Sequence, residues 1–196
     1  TPLVRRGLGG VTVACFALVG IGVAVAPLQA QGPSADGPST PDAPGAREIR
    51  AHYVAEAPSI DGILDEAIWS QITPITDFRQ RQPVDGAPAS EQTEVRIAFD
   101  ENNLYFAVIN RDSEPDRIRR SILHREGRID QDDNIRIGID TYHDGRNGYI
   151  FELNPFGTQG DALFTDESMT LSDWNWEGVY ESEGRITAEG WIVEAA

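Results

Sequence analysis

The 196-residue sequence contains no lysine, one cysteine, one methionine and three histidines. The cysteine, Cys15, lies in an apolar leader, so the rest of the chain has neither a thiol nucleophile nor a disulfide and must be held by its core. His52, His124 and His143 are scattered at spacings that no zinc motif uses. Together with Met169 they are the only candidate axial ligands, and haem is not expected. GxSxG, HExxH and glycine-rich phosphate loops are missing too. The lack of lysine is a compositional trait to which no mechanism attaches.

What the chain has in excess is acid, with 32 Asp plus Glu against 16 Arg, a formal charge of −16. The first thirty residues hold two of the arginines and no acid, so their removal would bring the charge to −18. Such a surface repels phosphate backbones and excludes nucleic acid as a natural partner; it suits neutral ligands and divalent cations.

Arg5 and Arg6 precede an acid-free apolar run, Val11 to Ala26, followed by Leu28-Gln29-Ala30. This is the pattern of a secretory signal over residues 1–30, cleaved near Ala30. The alternative, a membrane anchor, is disfavoured because the run is shorter than the about 20 residues a span prefers. Residues 31–46 are rich in Pro, Gly, Ser and Ala and cannot bury enough surface to order themselves, so they are expected to be a disordered linker. Residues 47–196 form the expected domain. The opening Thr1 and the abrupt end at "GWIVEAA" suggest a fragment of a longer product, with the domain truncated at its C-terminal end.

From residue 47 on the periodicity is that of strands. Ile49–Ala55 is a candidate opening strand, and Ile60–Ile72 a turn followed by a short helix. Thr93–Asp112 alternates as a β-hairpin turning at Asp100–Asn103. "RIRRSILH" (117–124) is a candidate edge strand, "GDALFTDES" (160–168) a short strand, and residues 178–195 a further hairpin turning at Glu183-Gly184. Seven or more short strands with one short helix predict an all-β protein, an antiparallel, jelly-roll-like β-sandwich.

The stretch Gln131–Gly157 is a hairpin whose register can be read from parity. Ile135, Ile137 and Ile139 must face the same core as Tyr149, Phe151 and Leu153, and a one-residue slip would put one set in water. A loop centred on Asp144 then sets Ile137 opposite Phe151, Gly138 opposite Ile150 and Arg136 opposite Glu152. Such a charged pair contributes at most about 1 kcal/mol if exposed.

Several stretches could carry chemistry. In "DGILDEAIW", Asp61-Gly62 forms a turn, Asp65 and Glu66 sit at a helix N-terminus, and Ile68 and Trp69 face inward, as in a lid over one end of the sandwich, against the alternative that these acids support calcium. "QDDN" and "GDALFTDES" place Asp132, Asp133 and Asp161 in oxygen-rich loops of the kind calcium takes, against the alternative of solvated acidic loops. Trp174 and Trp176, two apart, would share a face on a strand and form either a stacking platform or core. A glycosidase would need two carboxylates at catalytic separation in a cleft, and their abundance alone singles out no pair.

The ordered motifs "IDGILDEAIW", "TEVRIAFDENNLYFAV", "QDDNIRIGIDTYHDGRNGYIFELNPFGTQGDALF" and "GRITAEGWIVEA" resemble the carbohydrate-binding module family 9-like domains, in particular those that precede a C-terminal outer-membrane domain in exported bacterial proteins. The resemblance implies a β-sandwich, calcium in some members, and polysaccharide binding associated with glycosidases and carbohydrate catabolism. Members carry a clamp tryptophan before the strand equivalent to Asn134–Asp140; this chain has "GRIDQDD" there, with no aromatic. Arg136 and Glu152 occupy the places of the family's acid and arginine with the charges exchanged. The resulting expectation is a non-catalytic, exported domain in the periplasm, outer membrane or at the cell surface. It would bind a polysaccharide or oligosaccharide through Arg136, Glu152, Trp174 and Trp176, with calcium at Asp132, Asp133 and Asp161. A membrane-associated C-terminal domain of the same chain would be its partner. The alternatives are a ligand-free structural domain of an outer-membrane protein and part of a glycoside hydrolase.

Overall fold

The structure is a computed structural model that describes residues 50–196 except 143, 145, 166 and 167, without side chains at 168–171, plus two short strands in the leader, Arg5–Gly7 (β1) and Gly10–Thr12 (β2). The remainder of the predicted signal and the whole linker lie outside the described residues, as do His143 and the Met169 side chain. Among the described residues no helix is long and apolar enough to cross a membrane.

Two sheets face each other. One has the order β10-β11-β5-β4-β3, built from Ser182–Thr187 (β10), Gly190–Ala195 (β11), Leu104–Arg111 (β5), Thr93–Phe99 (β4) and His52–Tyr53 (β3). The other has the order β6-β7-β8-β9, from Ile135–Ile139, Gly148–Leu153, Gln159–Thr165 and Ser168–Asp173. The domain is the β-sandwich that the alternation predicts, except that β3, far shorter than expected, joins β4 in parallel. Val95, Ile97, Phe106, Val108, Trp191 and Val193 of the first sheet meet Ile135, Ile137 and Leu153 of the second. Each such side chain buried stabilises by roughly 1.5–3 kcal/mol.

Strand β5 is buried on both faces: Phe106 and Val108 face the sandwich, while Tyr105 and Ala107 face a second cluster with Trp69 and Ile72. That cluster is closed by helix α1, Ala67–Gln71. The lid therefore covers the outer face of the five-stranded sheet and not an end of the sandwich. Its anchor is Glu194 on β11, fully buried, which accepts hydrogen bonds from Trp69 Nε1 (3.1 Å), Gly62 N (2.8 Å) and Asp61 N (3.2 Å). Gly62 supplies the left-handed turn, φ +76°, that presents those two amides. Glu66 occupies the N-cap position but accepts from Ser59 N, so the acids do not cap the helix.

Two strand assignments need correction. Residues 117–124 form no strand, because the amides of Arg119, Ser121 and Ile122 are taken by the carboxylates of Asp133 and Asp132. The last hairpin turns at Ala188-Glu189, not at Glu183-Gly184: Gly184 lies in β10 opposite Val193. A Cβ there would stand 2.4 Å from Gly157 N, so the glycine marks a close backbone approach.

Candidate functional site

The β6–β7 register is the one parity requires: Ile137 pairs with Phe151, Gly138 with Ile150 and Arg136 with Glu152. Phe151 turns inward, so Glu152 and Arg136 point out from the four-stranded sheet. They are not an exposed pair. Glu152 is 3% exposed, and its Oε1 accepts from Arg136 Nε (2.7 Å) and lies 2.6 Å from Arg136 Nη2 in the same ion pair. Its Oε2 has no partner among the described residues. Burial pushes the Glu152 carboxyl above the ordinary range; Arg136 opposes that and nearby Asp130 adds to it.

Above this pair opens a cleft of about 660 Å³. One wall is the Glu126–Asp130 segment, the other the turn carrying Trp174, Asn175 and Glu177; Gly160 of β8, paired with Glu152, lies at the base. A Cβ at Gly160 would come 3.1 Å from Ile129 Cδ1 and 3.6 Å from Glu152 Oε2, so the glycine leaves room beside that oxygen. Trp174 is 40% exposed and has the Arg136 guanidinium over its ring at 5.7 Å. Arg128 holds Asp130 (3.0 and 3.2 Å) and keeps its carboxyl below the ordinary range.

The two tryptophans part company. Strand β9 ends at Asp173, and in the following turn Trp174 enters the cleft while Trp176 packs on Tyr149 (4.8 Å) and Phe151 (6.1 Å). Trp176 is thus a core-side residue and forms no platform with Trp174.

The turn is fastened by residues the sequence did not single out for that purpose. Asp161 Oδ2 accepts from Arg125 Nη2 (2.5 Å) and Asp161 Oδ1 from Gly178 N (3.0 Å), while Arg125 Nη2 also donates to Gly178 O (2.7 Å). Arg125 further lies over the Tyr180 ring at 5.4 Å. Asp161 is wholly buried. Arg125, Glu126, Asp130 and Glu177 went unrecognised because they converge only through chain reversal; the charge density of "HREGRID" is the one local signal.

The three acids expected to hold calcium do not gather. Asp132 accepts from Ser121 N, Ser121 Oγ, Ile122 N and Asn154 Nδ2, and Asp161 is engaged as above. Only Asp133 Oδ1 and the adjacent Asn134 Oδ1 are buried without partners in that stretch, far short of the about six to eight oxygens calcium takes. Among the described residues no group of three or more His, Cys, Asp or Glu could hold a metal ion. These residues do not fit calcium.

Two solved structures are similar to the chain. A carbohydrate binding module family 9 (CBM9) from Caldicellulosiruptor kristjanssonii in complex with glucose matches with a TM-score of 0.51 at 17% identity, over 74% of this chain and 67% of that one. A CBM9 from the same organism in complex with cellotriose matches with a TM-score of 0.49 at 18% identity, over 74% of this chain and 66% of that one. The likeness is one of fold. The chain thus spans about two thirds of the length of these modules. No protein-family model and no curated protein matches it.

Proposed function

We propose that the domain is a non-catalytic saccharide-binding module whose site is the cleft over Arg136, Glu152 and Trp174. The observation that carries this reading is Glu152: a buried carboxylate with one oxygen held by Arg136 and the other left to the cleft, next to a half-open indole face. Sugar rings present both things such a site needs, an apolar C–H face for stacking on Trp174 and hydroxyls that donate to a carboxylate and accept from a guanidinium. The fold shared with a module solved in complex with glucose supports it. The leader and linker favour export to the periplasm, outer membrane or cell surface, where the module would hold a polysaccharide for its breakdown.

Calorimetric titration of the chain with cello-, xylo- and other oligosaccharides tests the reading. Saturable binding is expected, weakened at least about tenfold by Trp174→Ala or Arg136→Ala. Flat titrations throughout, with protein that still unfolds cooperatively, would overturn it.

A further inference from the structure

The charges of the cleft discriminate among sugars. Four carboxylates line it, Glu126, Asp130, Glu152 and Glu177, against two arginines, Arg128 and Arg136. Both arginines are committed: Arg128 to Asp130, Arg136 to a single oxygen of Glu152. At the rim Glu126 reaches only Arg125 Nε, at 3.5 Å, while that guanidinium makes its closer bonds to Asp161 and Gly178. Glu177 has no ion-pair partner among the described residues. The excess acid thus sits on Glu126 and Glu177 at the rim, while at the base Glu152, balanced by Arg136, offers Oε2 as a free acceptor.

Resting on the saccharide reading above, we infer that the cleft selects a sugar bearing a protonated amine, a glucosamine unit, over neutral sugars and against uronic acids. An ammonium group donates to Glu152 Oε2 and adds the Coulombic attraction of a full positive charge, which a hydroxyl making the same bond lacks. The rim carboxylates favour the same cation and repel a carboxylate on the ligand. The Glu126 carboxyl agrees in direction: burial first, then Asp161, push it upward against the opposing pull of Arg125, and Glu177 adds to the rise. Trp174 keeps the ligand a sugar, because a simple amine gains nothing from the indole beyond its own charge.

The test is calorimetric titration of the chain with a glucosamine disaccharide, its N-acetylated counterpart, cellobiose and a uronic acid disaccharide, at fixed ionic strength and at a pH where the amine is protonated. The glucosamine disaccharide is expected to bind at least about tenfold more tightly than the two neutral ones, and the uronic acid least. E126Q/E177Q, which alters only rim side chains, is expected to shrink that preference, while E56Q/E101Q on distant exposed positions leaves it. If cellobiose, the N-acetylated sugar or the uronic acid binds as well as the amine or better, the inference fails while the saccharide reading stands. If no saccharide binds, both fail. Equal loss of preference in the rim and distant variants, showing general attraction to an acidic protein, also overturns it.

Discussion

Arg136 places two nitrogens on one oxygen of Glu152 and none on the other. The pair therefore neutralises a buried charge without closing the site, which is why its two members behave differently on mutation. Arg136→Ala leaves Glu152 buried and unpaired and is expected to destabilise by about 1–3 kcal/mol, below the full cost of breaking an enclosed pair because Arg136 is partly exposed. Adding Glu152→Gln to Arg136→Ala removes the stranded charge, so the double variant is expected to recover part of that loss. Chemical denaturation of both checks it; a double variant less stable than Arg136→Ala alone would show that Glu152 is not held against its desolvation by Arg136.

The clamp of Asp161, Arg125 and Gly178 fastens the chain just after the turn that carries Trp174. Asp161→Ala deprives the Gly178 amide and the Arg125 guanidinium of their acceptor and is expected to cost about 1–3 kcal/mol of stability. Arg125→Ala strands the buried Asp161 charge with only the Gly178 amide, so it is expected to cost at least as much; it also frees the turn and should weaken sugar binding severalfold. Circular dichroism and titration on the same samples separate the effects. Undiminished affinity in Arg125→Ala would remove the clamp from the binding site.

How much of this could be read from the chain depends on whether the signal was local or arose on folding. The Arg136–Glu152 pairing was legible because isoleucines on one strand and aromatics on the other permit only one parity. Glycine-184 misled because a turn and a close backbone approach select the same residue, and only the packing of Gly157 distinguishes them. "RIRRSILH" has a strand's composition, yet its amides go to two carboxylates brought alongside by the 3₁₀ turn at Ile129–Gln131. Trp174 and Trp176 look equivalent at a spacing of two, but that equivalence holds only on a strand, and β9 ends at Asp173, before either of them. Arg125 and Asp161, 36 positions apart, had no local signal as partners.

Asp133 is buried with Oδ1 unpartnered, and burial, reinforced by Asp112 and Asp132, lifts its carboxyl to about 6. A raised acid binds its proton more readily in the folded state, so stability is lost as pH climbs from the ordinary 3.8 through about 6 and levels off above. Asp133→Asn retains an acceptor for Arg119 N and is expected to raise stability in alkaline buffer by about 1–2 kcal/mol, with no gain in acid, where the wild-type group is already protonated. Denaturant midpoints on either side of the transition decide it. A gain of equal size at both ends would trace to packing instead of charge.

Glu194 turns the lid into a second such group, with a carboxyl that burial raises to about 7 despite the amides of Gly62 and Asp61. Its ordinary value is 4.5. Between these limits the folded chain holds a proton the unfolded chain has released, so stability falls as pH climbs from about 4.5 through about 7 and levels off above; the full shift corresponds to roughly 3 kcal/mol. Glu194→Gln abolishes this slope but pays at every pH, because an amide group cannot accept from Trp69 Nε1 and from both Gly62 N and Asp61 N at once. The difference in unfolding free energy between wild type and Glu194→Gln, followed across that interval, is therefore expected to shrink as pH rises. A difference that stays constant or grows would mean that the three donors hold Glu194 ionised and that its burial is fully compensated.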